Sequence, residues 1–281
     1  MFSQRVASSD LSDRLDASYY HPEYLRLTRL LTEKGAVHLG SLVKNVACGP
    51  FGASAIAEDL YAANGVIFVR PVNISSSVFD DSNLVQVPKD LLLANNLKVY
   101  DGVNLYFGRV GVPCVAVLDA ETSISPNIVI ATPDPKKADP YYLYAFAGSR
   151  PGLTQLKRKI KEVAQPTTST DSVRDLLVLD CDEFAQEFIG DKLRLAEQLR
   201  AWAQALLRAG KLLVEALVSG QITEKELVDA QQALERGDGN LDRAILERLR
   251  TDCVDGDGKP LFPDLDQFCE LLGNVQRKTE A

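Results

Sequence analysis

Up to about residue 182, short apolar runs alternate with turns rich in Gly, Pro and Asn. Beyond it the apolar positions fall three and four apart and no β-type run occurs. Four runs in the first region read as strands: GVIFVRPVNIS (65–75), NLVQV (83–87), VPCVAVL (112–118) and NIVIA (127–131). Helices are expected at 21–35, around 88–96 and at 140–163. The last opens on Asp139 as cap with Pro140 in the first turn, and Pro151-Gly152 should divide it. From Phe188 the pattern is a heptad. One seam is Phe188, Leu195, Trp202, Ala209 and Ala216; the other is Leu199, Leu206 and Leu213, interrupted by Lys192. Such a run predicts roughly 45 Å of helix, closed by Ser219-Gly220. Thr223 with Glu226 three residues on is a capping box that opens a second helix. NLDRAILERLRTD predicts a third, 252–264 reads as a loop, and 264–273 as a last short helix. The expected fold class is α+β: a mixed region (1–182) around a twisted sheet, a long coiled-coil helix (183–220) and a small helical C-terminal region (221–281).

Composition narrows the function classes. The 281 residues, 46% of them apolar, can bury a full core. No apolar run is long enough to span a membrane, and the polar, acidic N-terminus does not read as a secretory signal. Five scattered cysteines without a CxxC pair suggest reduced thiols and a cytoplasmic location. The net charge of −8 argues against nucleic acid when taken alone. It is unevenly spread, however. Residues 1–182 hold 18 basic and 20 acidic side chains, and residues 183–281 hold 13 and 19, so the first region has room for a basic face.

Catalytic signatures are missing: GxGxxG after a strand, GxxxxGK[ST], GxSxG and HExxH do not occur. DGDG (255–258) lacks the alternating ligands and closing Glu of a calcium loop and reads as a solvated turn. No metal site and no cofactor bound by this chain are expected, and an enzyme acting alone is the least favoured class. Four stretches could bind a partner. CGPFGAS (48–54), ending in Ser54, reads either as a turn that approaches phosphate or as an ordinary helix-to-strand turn. VRPVNIS places Arg70 and Asn73 at a strand end, residue types that read guanine and adenine in the major groove. FGRVG holds Arg109 between Gly108 and Gly111, where the glycines would let backbone approach a partner. QLKRKIKEV carries Lys157, Arg158, Lys159 and Lys161, which are either a solvated helix face or a phosphate track.

The order of these pieces resembles the specificity subunits of type I restriction–modification systems. RLDASYYHPEY (14–24) looks like the family's R-[LI]-D-A-x-Y-[YF]-x-P opening. GPFGASAIAEDLYAANGVIFVRPVNIS (49–75) is similar to its G-x-x-[FI]-G…R-x-x-N-I segment, and VYDGVNLYFGRVGVPCVAVL (99–118) resembles its R-x-G strand segment. ETSISPNIVIATPDPKKADPYYLYAFAGSRPGLTQLKR (121–158) and VAQPTTSTDSVRDLLVL (163–179) follow the two closing segments, and the heptad helix matches the family's long arm.

The resemblance implies a non-catalytic subunit that reads double-stranded DNA and docks methyltransferase subunits, with S-adenosylmethionine bound by those partners and motor-nuclease subunits joining for restriction. Family members usually carry two recognition domains and two arms, whereas this chain has one of each and looks like a half-subunit. The resemblance therefore implies a homodimer through the arm, with Leu195, Leu199, Trp202, Leu206 and Leu213 at the contact. It makes Arg70, Asn73 and Arg109 base or phosphate contacts, Ser54 and Asn127 polar supports, and Lys157, Arg158, Lys159 and Lys161 contacts to phosphates or to a partner. A second class stays open: a non-catalytic scaffold or anti-restriction decoy with a degenerate recognition fold, which the acidic C-terminal third would suit.

Overall fold

A computed structural model describes residues 5–8, 11–12, 14, 16–50, 60–62, 64–74, 78–160 and 167–251. Ser54, Lys161, most of CGPFGAS, the DGDG turn and the helix expected at 264–273 lie outside the described residues. The chain divides into two compact units, Met1–Arg194 and Leu195–Ala281. The division falls inside the long helix, three turns after its start.

In the first unit a 3-10 turn (Ala17–Tyr20) leads into α1 (Pro22–Glu33), β1 (Val37–His38), α2 (Leu39–Leu42) and β2 (Val43–Cys48). Then come β3 (Val66–Val69), a 3-10 turn (Pro71–Asn73), β4 (Gln86–Val87), α3 (Lys89–Ala94), β5 (Val103–Gly108) and β6 (Val115–Asp119). β7 (Thr122–Ile124), β8 (Ile128–Pro133), α4 (Pro140–Gly148), α5 (Arg150–Lys159), α6 (Thr170–Arg174) and β9 (Leu177–Val178) complete it. The central sheet is antiparallel in the order β2-β8-β5-β6. A second sheet has the order β4-β3-β7, with β3 and β7 parallel, and β1 pairs β9. The fold is thus α+β, with no closed barrel among the described residues.

Period-two alternation explains the layering. Leu105, Phe107, Val115, Val117, Val129 and Ala131 face one way, onto Leu143, Phe146 and Ala147 of α4. Tyr106, Ala116, Ile128 and Ile130 face the other way, onto Val69 of β3 and Ile124 of β7. A sheet buried on both faces needs near-continuous apolar runs, which is what β5, β6 and β8 carry. Tyr106 is fully buried and shares a 2.8 Å hydrogen bond with Thr122 Oγ1 across the two sheets; burial drives its phenol pKa upward.

Several expected elements are shorter or interrupted. The run 65–75 ends at Val69, because Pro71 has no N–H to give the ladder and Arg70 N donates to Asn73 Oδ1 at 3.0 Å. Only Gln86–Val87 of 83–87 is strand, and 112–118 enters its strand at Val115. The helix expected over 140–163 divides beside Pro151-Gly152 as expected, at Ser149, whose hydroxyl accepts from Gly152 N at 3.4 Å and caps α5; its second half ends at Lys159. β2 and β5 were not among the expected strands. Lys44 and Asn45 break the apolar pattern of β2, where they lie exposed.

The capping role of Asp139 is observed, and it has a second task. Its Oδ1 accepts from Tyr141 N and Tyr142 N, both at 2.9 Å, while Oδ2 accepts from Arg194 Nη1 at 2.8 Å. Arg194 belongs to α7 (Glu183–Val218), whose first three turns are therefore fastened to α4. Gln186 adds to this: its Oε1 accepts from Asp139 N at 3.0 Å and its Nε2 donates to Cys181 O at 2.9 Å.

In the second unit, α8 (Glu224–Glu235) and α9 (Asn240–Thr251) pack on α7 through Ala209, Ala216, Ile222, Ala230, Ile245, Leu246 and Leu249. The expected capping box forms: Glu226 Oε2 accepts from Thr223 N at 2.8 Å and Thr223 Oγ1 accepts from Glu226 N at 3.3 Å. Arg248 of α9 donates to Glu226 at 2.7 Å and, with the cap, holds its carboxyl pKa down at about 2.

Candidate nucleic-acid interface

Separated stretches of sequence meet at one end of the two sheets. β3 and β7 run parallel, so Arg70 and Ser125 leave the second sheet side by side, and Ser125 N donates to Val69 O at 3.0 Å. The chain then turns through Pro126 and Asn127 into β8. Arg109, leaving β5, docks on that turn: its backbone N donates to Asn127 O at 3.0 Å and its Nη1 to Pro126 O at 3.4 Å. Gly49, at the exit of β2, donates to Ile128 O at 3.3 Å. Arg70, Arg109, Asn127 and the start of CGPFGAS thus share one rim, with the Asn127 side chain exposed.

The two arginines are held differently. Arg70 Nη2 donates to Asn83 O at 2.6 Å and the guanidinium lies 5.4 Å from the Tyr61 ring centroid. Its buried Nε, like the buried Ser125 Oγ beside it, has no hydrogen-bond partner among the described residues. Buried polar atoms are seldom left this way, which makes this corner of the rim polar and under-satisfied. Arg109 is half-buried, with Thr168 N donating to its carbonyl at 2.7 Å.

Asn73 has a different place from the one its residue type suggests. Its side chain is 1% exposed, accepting from Arg70 N and donating through Nδ2 to Asp80 O at 3.0 Å. It ties the 70–83 loop together and presents nothing to a base edge. The glycines of FGRVG also have internal reasons. A Cβ on Gly108 would sit 2.6 Å from Cys114 Sγ, and Gly111 adopts a φ of +91° in the β5–β6 turn, a conformation that favours glycine. They shape the hairpin. Val112 at its tip is 85% exposed.

That tip faces the basic end of α5. Gly111, Val112 and Pro113 line a cleft of about 450 Å³ with Tyr24, Lys157 and Arg158. The three cations in the last turn of α5 divide their work. Lys157 is exposed. Arg158 instead donates to Tyr19 O at 3.0 Å and to Thr28 Oγ1 at 2.7 Å, with its guanidinium 4.2 Å from the Tyr19 ring centroid. Lys159 pairs with Asp175 at 2.9 Å. Successive helical residues point about 100° apart, so three consecutive cations cannot share one face.

The RLDASYY stretch, read from sequence only as a family-like opening segment, explains where Arg158 points. Arg14 Nε donates to Asp16 Oδ1 at 2.8 Å, and its Nη1 donates to the Lys159 carbonyl at 2.9 Å. Its guanidinium lies 4.5 Å from the Tyr19 ring centroid, so that ring meets two cations. The Tyr20 hydroxyl donates to Arg14 O. The Arg14 hydrogen bond holds the Asp16 carboxyl below its usual pKa. The segment is a clasp that fastens the N-terminus to the last turn of α5.

Among the described residues no group of His, Cys, Asp and Glu is placed to hold a metal ion, and no helix is long and apolar enough to cross a membrane. No family model and no curated protein matches the sequence. Among solved structures, the chain is similar to the type IIG restriction endonuclease BpuSI, at 10% identity and a TM-score of 0.47, over 63% of this chain and 28% of that one. It is similar to the S subunit of a type I restriction–modification system from M. genitalium, at 13% identity and a TM-score of 0.45, over 77% of this chain and 48% of that one. The HsdS subunit from Thermoanaerobacter tengcongensis matches at 16% identity and a TM-score of 0.38, over 80% of this chain and 49% of that one. Two of the three are type I S subunits. The chain spans about half the length of each of those two.

Proposed function

We propose that this chain is the DNA-recognition subunit of a type I restriction–modification assembly in half-subunit form, non-catalytic itself. The first unit reads a half-site from the rim of Arg70, Arg109 and Asn127, and methyltransferase subunits that bind S-adenosylmethionine dock on the chain. Motor-nuclease subunits join the same assembly for restriction. The observation that carries the reading is the convergence of the rim: three motif segments, far apart in sequence, bring their polar residues to one edge of two packed sheets. Lys157 and the Val112 tip supply a further cation and an exposed apolar contact at the cleft alongside.

A half-subunit needs a second copy, and the arm carries a self-complementary pattern for one. Between Leu195 and Val218 six of the seven large exposed apolar positions, all but Leu217, pair about Leu206-Leu207. In antiparallel register Leu195 meets Val218, Leu199 meets Val214, and Ala203 meets Gly210. Such pairing is isologous, each contact occurring twice about a two-fold axis. Gly210, with no atom within 4 Å of where a Cβ would stand, forms a notch among Leu206, Leu207 and Val214 that admits a neighbouring helix closely. Of the seam residues expected at this contact, Leu195, Leu199 and Leu206 are exposed, Trp202 is half-buried, and Leu213 packs within the unit instead. Two recognition units on paired arms would read a two-part inverted repeat whose spacing the arms set.

The test is to purify the chain with a methyltransferase partner and map methylated positions by sequencing. A bipartite inverted repeat is expected; absent or random marks overturn the reading. The alternative, an interaction scaffold or decoy, is favoured by the internal pairing of Arg158 and Lys159. It predicts binding to the methyltransferase without DNA affinity at moderate salt.

A further inference from the structure

The arm between Leu195 and Val218 is apolar around more of its circumference than one partner can cover. At about 100° per residue, its apolar positions sweep an arc of roughly 240°, whereas one packed face needs a stripe of about 100°. Ala209, Leu212, Leu213 and Ala216 form one side of that arc, spaced three and four apart. Leu195, Leu199, Leu206, Leu207, Val214 and Leu217 form the other, between 37% and 63% exposed. A helix with two apolar sides in water gathers partners on both and builds bundles of no fixed size.

We infer that the hairpin of α8 and α9 is a cap that closes the first side from within the chain, so that the arm takes one partner only, a second copy through the other side. The cap fits its side closely. Ala209 and Ala216 are 5% and 0% exposed beneath Ile222, Ala230, Leu246 and Leu249. Small residues on the arm let both cap helices lie against it, and large ones stand on the side left open. The Arg248–Glu226 pair links α9 to α8, with Glu226 itself fixed by the capping box at Thr223, so the two helices cover the arm as one piece. Gly220 (φ +76°) reverses the chain directly after the arm and brings the cap back along it. A closed pair follows, with no free seam from which a third arm could add.

The inference rests on the pairing of arms proposed above, and light scattering on the full chain separates the two. The wild-type chain is expected at two copies; a single copy at tens of micromolar overturns the pairing itself and the cap's role with it. Leu206→Glu, on the open side, is expected to give single copies. Ile245→Asp with Leu249→Asp, which unseats the cap, is expected to give assemblies of four or more copies. Adding Leu206→Glu to that variant should still leave association through the uncovered side. An uncapped chain that stays at two copies, or falls to one, with wild-type helicity by circular dichroism overturns the inference. Leu249→Ala is the milder version if the aspartates cost helicity. It is expected to populate species above two copies that grow with concentration, and a strict pair overturns the inference equally.

Discussion

Arg109, at the base of the hairpin whose tip lines the cleft, and Arg158, which lines it from α5, carry the same kind of charge, yet the fold uses them differently. Arg109 sits on a rim built from backbone, where the 125–127 turn fixes its position at the end of β5. Arg158 lies in a helix whose neighbours include a phenol ring, a threonine hydroxyl and a backbone carbonyl, and it is held by all three. A cation's residue type therefore says little about whether a partner can reach it. What decides is the set of acceptors that the rest of the chain brings within 3 Å of it.

Four experiments test this contrast. Arg158→Ala should lower stability by about 2–4 kcal/mol in denaturant unfolding, because it removes two charge-assisted hydrogen bonds and a cation–π contact. A loss under about 0.5 kcal/mol would mean that the clasp does not hold Arg158 as described. Arg109→Ala should weaken DNA binding by about 1–3 kcal/mol, read by fluorescence anisotropy. Unchanged affinity would remove it from the rim. Lys157→Gln should cost little stability but reduce the slope of log affinity against log salt by about one, as loss of one phosphate contact does. If Arg158→Ala and Lys157→Gln behaved alike, the distinction between the two would collapse.

The smallest effect expected is acid loosening of the clasp. The Asp16 carboxyl has a lowered pKa in the folded chain, so its contribution is fully present above the ordinary value of 3.8 and fades as pH falls below it. Near-UV circular dichroism of the tyrosines should follow this change, and Asp16→Asn should abolish it. An acid transition identical in the variant would place its cause elsewhere.

Helices whose signals lie within a few residues were legible directly. The heptad pattern anticipated α7, Thr223 and Glu226 the start of α8, and Asp139 with Pro140 the start of α4. The strands that depend on distant partners were harder: β2 pairs with β8 some 85 residues away, and its Lys44 and Asn45 hide the periodicity. Among the candidate residues, Arg109 and Asn127 were readable as types, but their meeting was not, because it depends on the pairing of β5 with β8.

The sequence by itself determined the long helix, the helix caps and the order of a mixed α/β stretch followed by a helical one. Those rest on periodicity and on hydrogen bonds spanning three or four residues. The boundary between the two compact units falls instead after Arg194, inside that helix. Only the tertiary structure decided that Asn73 is buried, that Arg158 faces inward to a tyrosine 139 residues earlier, and that the alanine side of the arm is covered while its leucine side stays open. The reason is one of range. A side chain's exposure and partners are set by segments that sequence separation hides, and the same leucine or arginine is core, clasp or contact surface according to what folds against it.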